Sequence, residues 1–230
     1  MLREITQAIV EFLFPATCVG CGKWGNFICS QCSKSLPRIS PPFCKKCGKP
    51  ETSGTFCPVC WSYQGKIDGI RSVFHFDGVI RQAIHDLKYH HLKALSGPIA
   101  DYLVQYLREN PMSGDALVPV PIHKNRIKQR GYNQSVLIAE RLGKMLDLPV
   151  ITTVLVRNRD SLPQARSTNV EQRKRNVLGA FSCNDDPIAY KDIILIDDVC
   201  TSGATLEACA VALKNSGFNS VWGLTVAREI

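Results

Sequence analysis

The sequence predicts an α/β protein, a parallel sheet flanked by helices, preceded by a small cysteine-rich module. Three observations lead there. Eight of the 11 cysteines fall before residue 61 in four C-x-x-C steps. Beyond them, short apolar or β-branched runs alternate with segments of helical periodicity, the pattern of parallel strands joined by right-handed crossovers. No apolar run reaches bilayer-spanning length. A chain of 230 residues that is 45 % hydrophobic holds one large domain or one domain plus a small module. The boundary is expected near residue 65, dividing 1–65 from 66–230.

The opening "MLREITQAIVEFLFP" carries Arg3, Glu4 and Glu11 and lacks the apolar region and cleavage site of a secretion signal, so a cytoplasmic location is expected. Ile5, Ile9, Phe12 and Leu13 form a helical apolar stripe that ends before Pro15. It suits docking on the protein's own core, with peripheral contact to a membrane surface or a partner as the alternative.

The cysteine pairs are Cys18/Cys21, Cys29/Cys32, Cys44/Cys47 and Cys57/Cys60. A two-residue spacer lets two thiolates reach one tetrahedral Zn²⁺, so eight thiolates can supply two Cys₄ sites, and structural zinc (one or two ions) is expected. In "CVGCGK" and "CKKCGK" a glycine follows the second cysteine, where a tight turn brings backbone N–H groups toward sulfur. The competing readings are a disulfide framework or a redox C-x-x-C; the pairs have neither a secretion signal nor a βαβ pattern around them. No histidine or carboxylate joins the sulfurs, so the sites read as closed and structural. The spacing leaves open which pairs share a metal. Cys183, Cys200 and Cys209 read as free thiols.

After the module, "IRSVFHFDG" alternates as a strand does. The long segment "VIRQAIHDLKYHHLKALSGPIADYLVQYLREN" is helical, with a break expected near Gly97 and Pro98. His85, His90 and His91 in it suit either metal ligation or ordinary hydrogen bonding, and sulfur already meets the metal demand. "DALVPVP" is a short buried strand, "SVLIAERLGKML" an amphipathic helix with Ser135 as N-cap, and "VITTVLVRN" a β-branched strand. The strand "IILIDDV", the helix "TLEACAVALKNSG" and the strand "SVWGLTVAR" complete the α/β core.

Charge is concentrated. Residues 121–176 hold 12 Lys and Arg against 4 Asp and Glu, a net of +8 that equals the formal excess of the whole chain. Within them "HKNRIKQRGYNQS" and "RNRDSLPQARSTNVEQRKRN" read as basic loops, which attract polyanions. Tyr132 suits either stacking on a base or core packing.

The run "IILIDDVCTSGAT" sets two acids at the end of an apolar strand and follows them with hydroxyls and a glycine. In open α/β sheets, ligands bind beyond the carboxyl ends of the strands, where the loop to the next helix exposes backbone N–H groups. Gly203 permits close approach of a phosphate, while Thr201, Ser202 and Thr205 offer hydroxyls. Neither the Walker pattern nor G-x-G-x-x-G occurs at this strand-to-helix loop, which removes support for nucleoside triphosphate hydrolysis and nicotinamide binding here. Carboxylates repel phosphate but bind vicinal hydroxyls, so Asp197 and Asp198 beside this loop point to a sugar phosphate.

The run "ILIDDVCTSGAT" resembles the phosphoribosyl-pyrophosphate (PRPP) signature of type I phosphoribosyltransferases. The wider chain resembles the ComF/GntX family in its double zinc ribbon, "LKYHH", "VPVP" followed by "RGYNQS", "LPQARSTNVEQRKRNVLGAF", and the signature itself, in order over nearly the whole length. The resemblance implies a type I phosphoribosyltransferase-like parallel sheet behind an N-terminal zinc ribbon. It implies that Asp197 and Asp198 hold the ribose hydroxyls and that Thr201, Ser202, Gly203, Ala204 and Thr205 hold the 5-phosphate of PRPP or a related sugar phosphate, with magnesium accompanying PRPP. By position, Arg126, Arg130, Gly131, Asn133 and Gln134 are candidates for the pyrophosphate, with Lys88 a further one. Gln164, Arg173 and Asn176 would occupy the place of the mobile catalytic loop. Cys200 and Ser202 stand where the family often has Leu and Thr; size is kept at both and the hydroxyl at Ser202.

Two functions follow from the resemblance. One is handling of incoming single-stranded DNA in the cytoplasm during natural transformation, with the DNA-uptake machinery as partner. The other is phosphoribosyl transfer from PRPP to an acceptor that the sequence does not name.

Overall fold

A computed structural model describes residues 15–62, 65–158, 179–184 and 189–229. Four strands, β1 (Gly69–His75), β2 (Ala116–Pro119), β5 (Asp192–Cys200) and β6 (Ser220–Arg228), form one sheet in the order β1-β6-β5-β2, parallel at every pairing. β5 and β6 lie at its centre. Both their faces are covered, which is why they read as near-continuous apolar runs.

Alternate residues of β5 enter different layers. Ile194 and Ile196 pack with Leu224 and Val226 against Ile84, Leu103 and Ile138. These belong to the helices α3 (Gly78–Tyr89), α4 (Ser96–Glu109) and α6 (Gln134–Leu146). Ile193 and Leu195 pack on the other side against Leu206, Cys209 and Leu213 of α7 (Ala204–Asn215), the crossover from β5 to β6. That second layer also holds a separate antiparallel pair, β3 (Leu155–Arg157) with β4 (Phe181–Cys183).

The cysteine module contains two short helices, α1 (Ser30–Lys34) and α2 (Pro58–Ser62). It lies along the outer edge of β1: Ile39 N donates to Val73 O (2.9 Å), His75 N to Pro37 O (2.8 Å) and Ile70 N to Lys46 O (2.7 Å). The edge that β1 would otherwise present to another chain is thereby paired. Among the described residues no helix is long and apolar enough to cross a membrane. The apolar stripe Ile5, Ile9, Phe12 and Leu13 lies outside the described residues.

Four local expectations are corrected. The helical break falls at His90–Leu92, not at Gly97 and Pro98: α3 ends at Tyr89 and His91 takes φ +57°. Pro98 lies in the first turn of α4, where an N–H has no intrahelical acceptor and its absence is harmless. "HKNRIKQR" is not all loop; Lys124–Arg130 form a helix, α5, capped by the His123 side chain and closed by Gly131 at φ +74°. None of its residues is buried, so it carries no apolar periodicity to read. The N-cap of α6 is Asn133, whose side chain accepts from Ser135 N at 2.9 Å; Ser135 itself is buried inside the helix. Of "VITTVLVRN" only Leu155–Arg157 is a strand, outside the main sheet, and Val150 adds one parallel bridge to Leu117.

Candidate functional site

The eight module cysteines gather as Cys18, Cys21, Cys29, Cys32 and as Cys44, Cys47, Cys57, Cys60, the sulfurs of each group all within 4.8 Å of one another. Neighbouring pairs in the chain share a centre, which the spacing had left open. The Cys21–Cys29 and Cys47–Cys57 sulfur separations are 3.6 and 3.8 Å. A tetrahedral ion with bonds of about 2.3 Å needs sulfurs about 3.8 Å apart, so both centres fit structural zinc.

Their electrostatics agree. Burial would raise the Cys18 thiol, but N–H groups of Cys29, Gly20 and Cys21 outweigh it and bring the pKa down to about 6. Cys44 behaves alike, burial being outweighed by the N–H groups of Cys57, Cys47 and Lys46, again to about 6. Burial and the neighbouring thiols push Cys32 up to about 12 and Cys60 higher still. Four sulfurs in one nest resist full ionisation unless a cation joins them.

The acid pair stands at the carboxyl end of β5. Asp198 is 4 % exposed, and its Oδ1 meets Lys88 Nζ, from the last turn of α3, at 2.8 Å. Its Oδ2 is buried without a partner among the described residues. Asp197 Oδ1 accepts from Ser135 Oγ at 3.1 Å and from Asp198 N at 2.9 Å. Burial, then the adjacent Asp198, push the Asp197 carboxyl up to about 7 against the pull of Lys88 and these donors. A buried carboxylate oxygen lacking a donor is one that a hydroxyl group can satisfy.

Residues Thr201 to Thr205 follow directly and lead into α7. Gly203 caps the helix at φ +80°, and a Cβ there would come within 3.0 Å of Ile70 Cδ1. Ser202 Oγ accepts from Ala204 N at 3.3 Å. Backbone N–H groups at such a helix start favour an anion. The arrangement offers acids for hydroxyls and, a few residues on, a helix N-terminus for phosphate.

The other sequence candidates divide. Lys88 joins the acid pair directly. Asn133 and Gln134 start α6, whose Ser135 reaches Asp197; Asn133 Nδ2 donates to Val120 O at 2.9 Å and Gln134 is buried. Arg130 Nη1 donates to Gln134 Oε1 at 3.0 Å while its guanidinium lies over Tyr89. Arg126 is partly buried within α5 and Gly131 ends that helix. Gln164, Arg173 and Asn176 lie outside the described residues. Tyr132 is buried and its hydroxyl donates to Leu87 O, so of its two readings core packing holds. His90 Nδ1 lies 2.8 Å from Asp86 Oδ1 and His91 Nδ1 3.2 Å from Arg130 O, ordinary hydrogen-bond distances. Sequence reasoning missed Ser135 as a partner of Asp197, and no local pattern marked it.

A double zinc ribbon domain family matches residues 9–62, which defines the class of the N-terminal module. Over most of its length the chain is similar to Competence protein F of Haemophilus influenzae, 27 % identical over 88 % of this chain and 91 % of that one. It is also similar to Competence protein ComFC of Bacillus subtilis (26 %, covering 83 % and 79 %) and to DNA utilization protein YhgH of Escherichia coli K12 (28 %, covering 87 % and 88 %). These matches bear out the resemblance to the ComF/GntX family. Among solved structures, the chain is similar to a glutamine PRPP amidotransferase from B. subtilis (TM-score 0.39, 15 % identity, 57 % of this chain and 26 % of that one). The match thus spans about a quarter of that enzyme. An adenine phosphoribosyltransferase from Trypanosoma brucei is similar with TM-score 0.35 and 11 % identity over 61 % of this chain and 67 % of that one.

Proposed function

We propose that the chain is a competence protein that binds PRPP or a related sugar phosphate and acts in the cytoplasm on incoming single-stranded DNA, with the DNA-uptake machinery as partner. In this reading residues 1–65 form the zinc-ribbon unit and residues 66–230 the ligand-binding unit. The observation that carries the ligand is the acid pair: Asp198, buried and braced by Lys88, keeps one oxygen unpartnered among the described residues, directly ahead of the Thr201–Thr205 loop. The ribose hydroxyls donate to Asp197 and Asp198, the 5-phosphate takes the loop's N–H and hydroxyl groups, and Lys88 with the start of α6 faces the pyrophosphate, which brings Mg²⁺ with it. The names of the competence and DNA utilization relatives support the biological role. So does the net charge of +8 carried by residues 121–176, because basic segments track nucleic-acid phosphates.

Transfer of the phosphoribosyl group is the second reading, favoured by the intact donor motif "ILIDDVCTSGAT". There the chain's own groups would orient the sugar and stabilise departing pyrophosphate.

Isothermal titration with PRPP and Mg²⁺ tests the ligand: wild type binds and Asp198→Asn does not. Equal binding by both would overturn the ribose assignment. For the DNA role, affinity for single-stranded DNA should fall steeply with salt, and neutralising Arg126, Lys128 and Arg130 together should flatten that slope; an unchanged slope would reject this surface. Pyrophosphate release that depends on an added acceptor would establish transfer.

A further inference from the structure

The second Cys₄ centre is attached to the sheet in a way the first is not. Three consecutive carbonyls of its knuckle are held from the sheet: Lys45 O accepts from Arg71 Nη2 (3.0 Å), Lys46 O from Ile70 N (2.7 Å) and Cys47 O from Arg228 Nη2. The N–H groups of Lys46 and Cys47 meanwhile point to the Cys44 sulfur. The same stretch of backbone thus bonds sulfur on one side and the sheet on the other.

Two of these sheet residues lie beside the 201–205 loop or the residue that precedes it. Arg228, the last residue of β6, pairs in register with Cys200, the residue immediately before the loop. Ile70 Cδ1 lies against Gly203, 3.0 Å from where a Cβ would sit. A third connection passes through Lys46 Nζ to Gly65 O (3.0 Å), then from Lys66 N and Ile67 N to the carboxylate of Glu207 in the first turn of α7 (2.6 and 3.2 Å).

Arg228 is 1 % exposed, its Nε has no partner, and no carboxylate pairs with it among the described residues. A buried guanidinium requires negative charge nearby. Zinc held by four thiolates carries a net charge of −2, and the Cys47 carbonyl that Arg228 holds belongs to a ligand of that centre.

We propose that Arg228 is a positioning residue joining the second Cys₄ centre to the 201–205 loop, so that zinc in the one and a sugar phosphate in the other stabilise each other. The zinc half stands alone; the loop half rests on the sugar-phosphate reading above. Because linkage is reciprocal, a ligand that tightens the loop must tighten that zinc by the same factor.

The test is chelator competition on the zinc-loaded full chain, resolving two zinc equivalents, with and without PRPP and Mg²⁺. Arg228→Met should weaken one equivalent by about 10–100-fold and leave the other unchanged, the usual effect of losing an outer-shell partner. Arg228→Lys, which keeps the charge, should recover part of the loss. PRPP should tighten that same equivalent in the wild type and not in Arg228→Met. Equal weakening of both equivalents, or of neither, would overturn the zinc half. If Arg228→Met does not fold, Arg71→Met must give the selective loss, and its failure to do so overturns the proposal equally. PRPP that binds the wild type without changing either zinc would overturn the loop half. A wild type that binds no PRPP would instead sink the sugar-phosphate reading and the loop half with it, while the zinc comparison still decides the role of Arg228 toward the metal.

Discussion

The two Cys₄ centres have the same ligands and spacing but different surroundings. Cys18 and Cys32 of the first are buried in one apolar cluster with Ile28, Leu36, Ile80, Ile99 and Leu103, and Tyr102 of α4 donates to Ser33 Oγ at 2.8 Å. None of the second centre's cysteines belongs to an apolar cluster of the described residues; its knuckle is held by Arg71, Ile70 and Arg228 through backbone carbonyls. Dispersion and burial spread over many atoms and secure a fold, whereas hydrogen bonds fix a position. The first centre is therefore part of what holds the chain folded, and the second is a clamp that ties the start of β1 to Arg228 at the end of β6.

Removing one sulfur from each centre should separate these roles most strongly. Cys32→Ser should lower the main unfolding transition by more than about 3 kcal/mol, because metal-binding free energy is lost together with core packing. Cys57→Ser should leave that transition within about 1 kcal/mol of wild type while losing one zinc and most PRPP affinity. Denaturant melts with zinc determination check both, and equal shifts in the midpoint would break the comparison.

Two glycines give a gentler version. A Cβ on Gly48, at φ +71°, would come 2.5 Å from Ile70 O, a backbone atom of β1. A Cβ on Gly20 would meet the Val79 side chain at 2.7 Å and the Cys32 sulfur at 2.9 Å. Gly48→Ala, strained by about 1–2 kcal/mol in the left-handed region and set against backbone, should push the knuckle off β1 and weaken PRPP binding about tenfold. Gly20→Ala should lower Tm by about 2–4 °C and leave PRPP affinity unchanged. Differential scanning calorimetry and titration on both variants distinguish the cases.

What the sequence disclosed and what it hid follow the same physical line. Zinc ligands at C-x-x-C spacing, and acids, hydroxyls and glycine within residues 197–205, are local patterns whose chemistry is complete over a few residues. The four parallel strands were legible because both faces of β5 and β6 are buried, leaving an unbroken apolar run. Lys88, Ser135 and Arg228 meet their partners across 110, 62 and 181 positions of chain, and no local spacing encodes such contacts. With no buried residue, α5 gave no period, and the αL residue His91 ended α3 where Gly97 and Pro98 were the more conspicuous breakers.

A comparison across pH isolates the acid pair from the zinc clamp. Burial and Asp198 raise the Asp197 carboxyl to about 7, above its unfolded value near 4. Between those values the native chain keeps a proton that the unfolded chain has released, so this group's contribution to stability falls as pH rises from about 4 to 7 and is constant above. Asp197→Asn removes the ionisable group. Its Tm should exceed that of wild type at pH 8, with the gap closing toward pH 4. PRPP binding by wild type should strengthen as pH rises through about 7, since ribose hydroxyls donate to the ionised form, and Asp197→Asn should lose both the binding and its pH dependence. In the absence of ligand, both zinc affinities should match wild type: Asp197 is held by Ser135 and the Asp198 N–H, and neither bond belongs to the knuckle. A zinc lost from the second centre in this variant would mean that the acid pair and the clamp are one cooperative unit, and the contrast between the two centres would then have to be redrawn as one between the first centre and that unit.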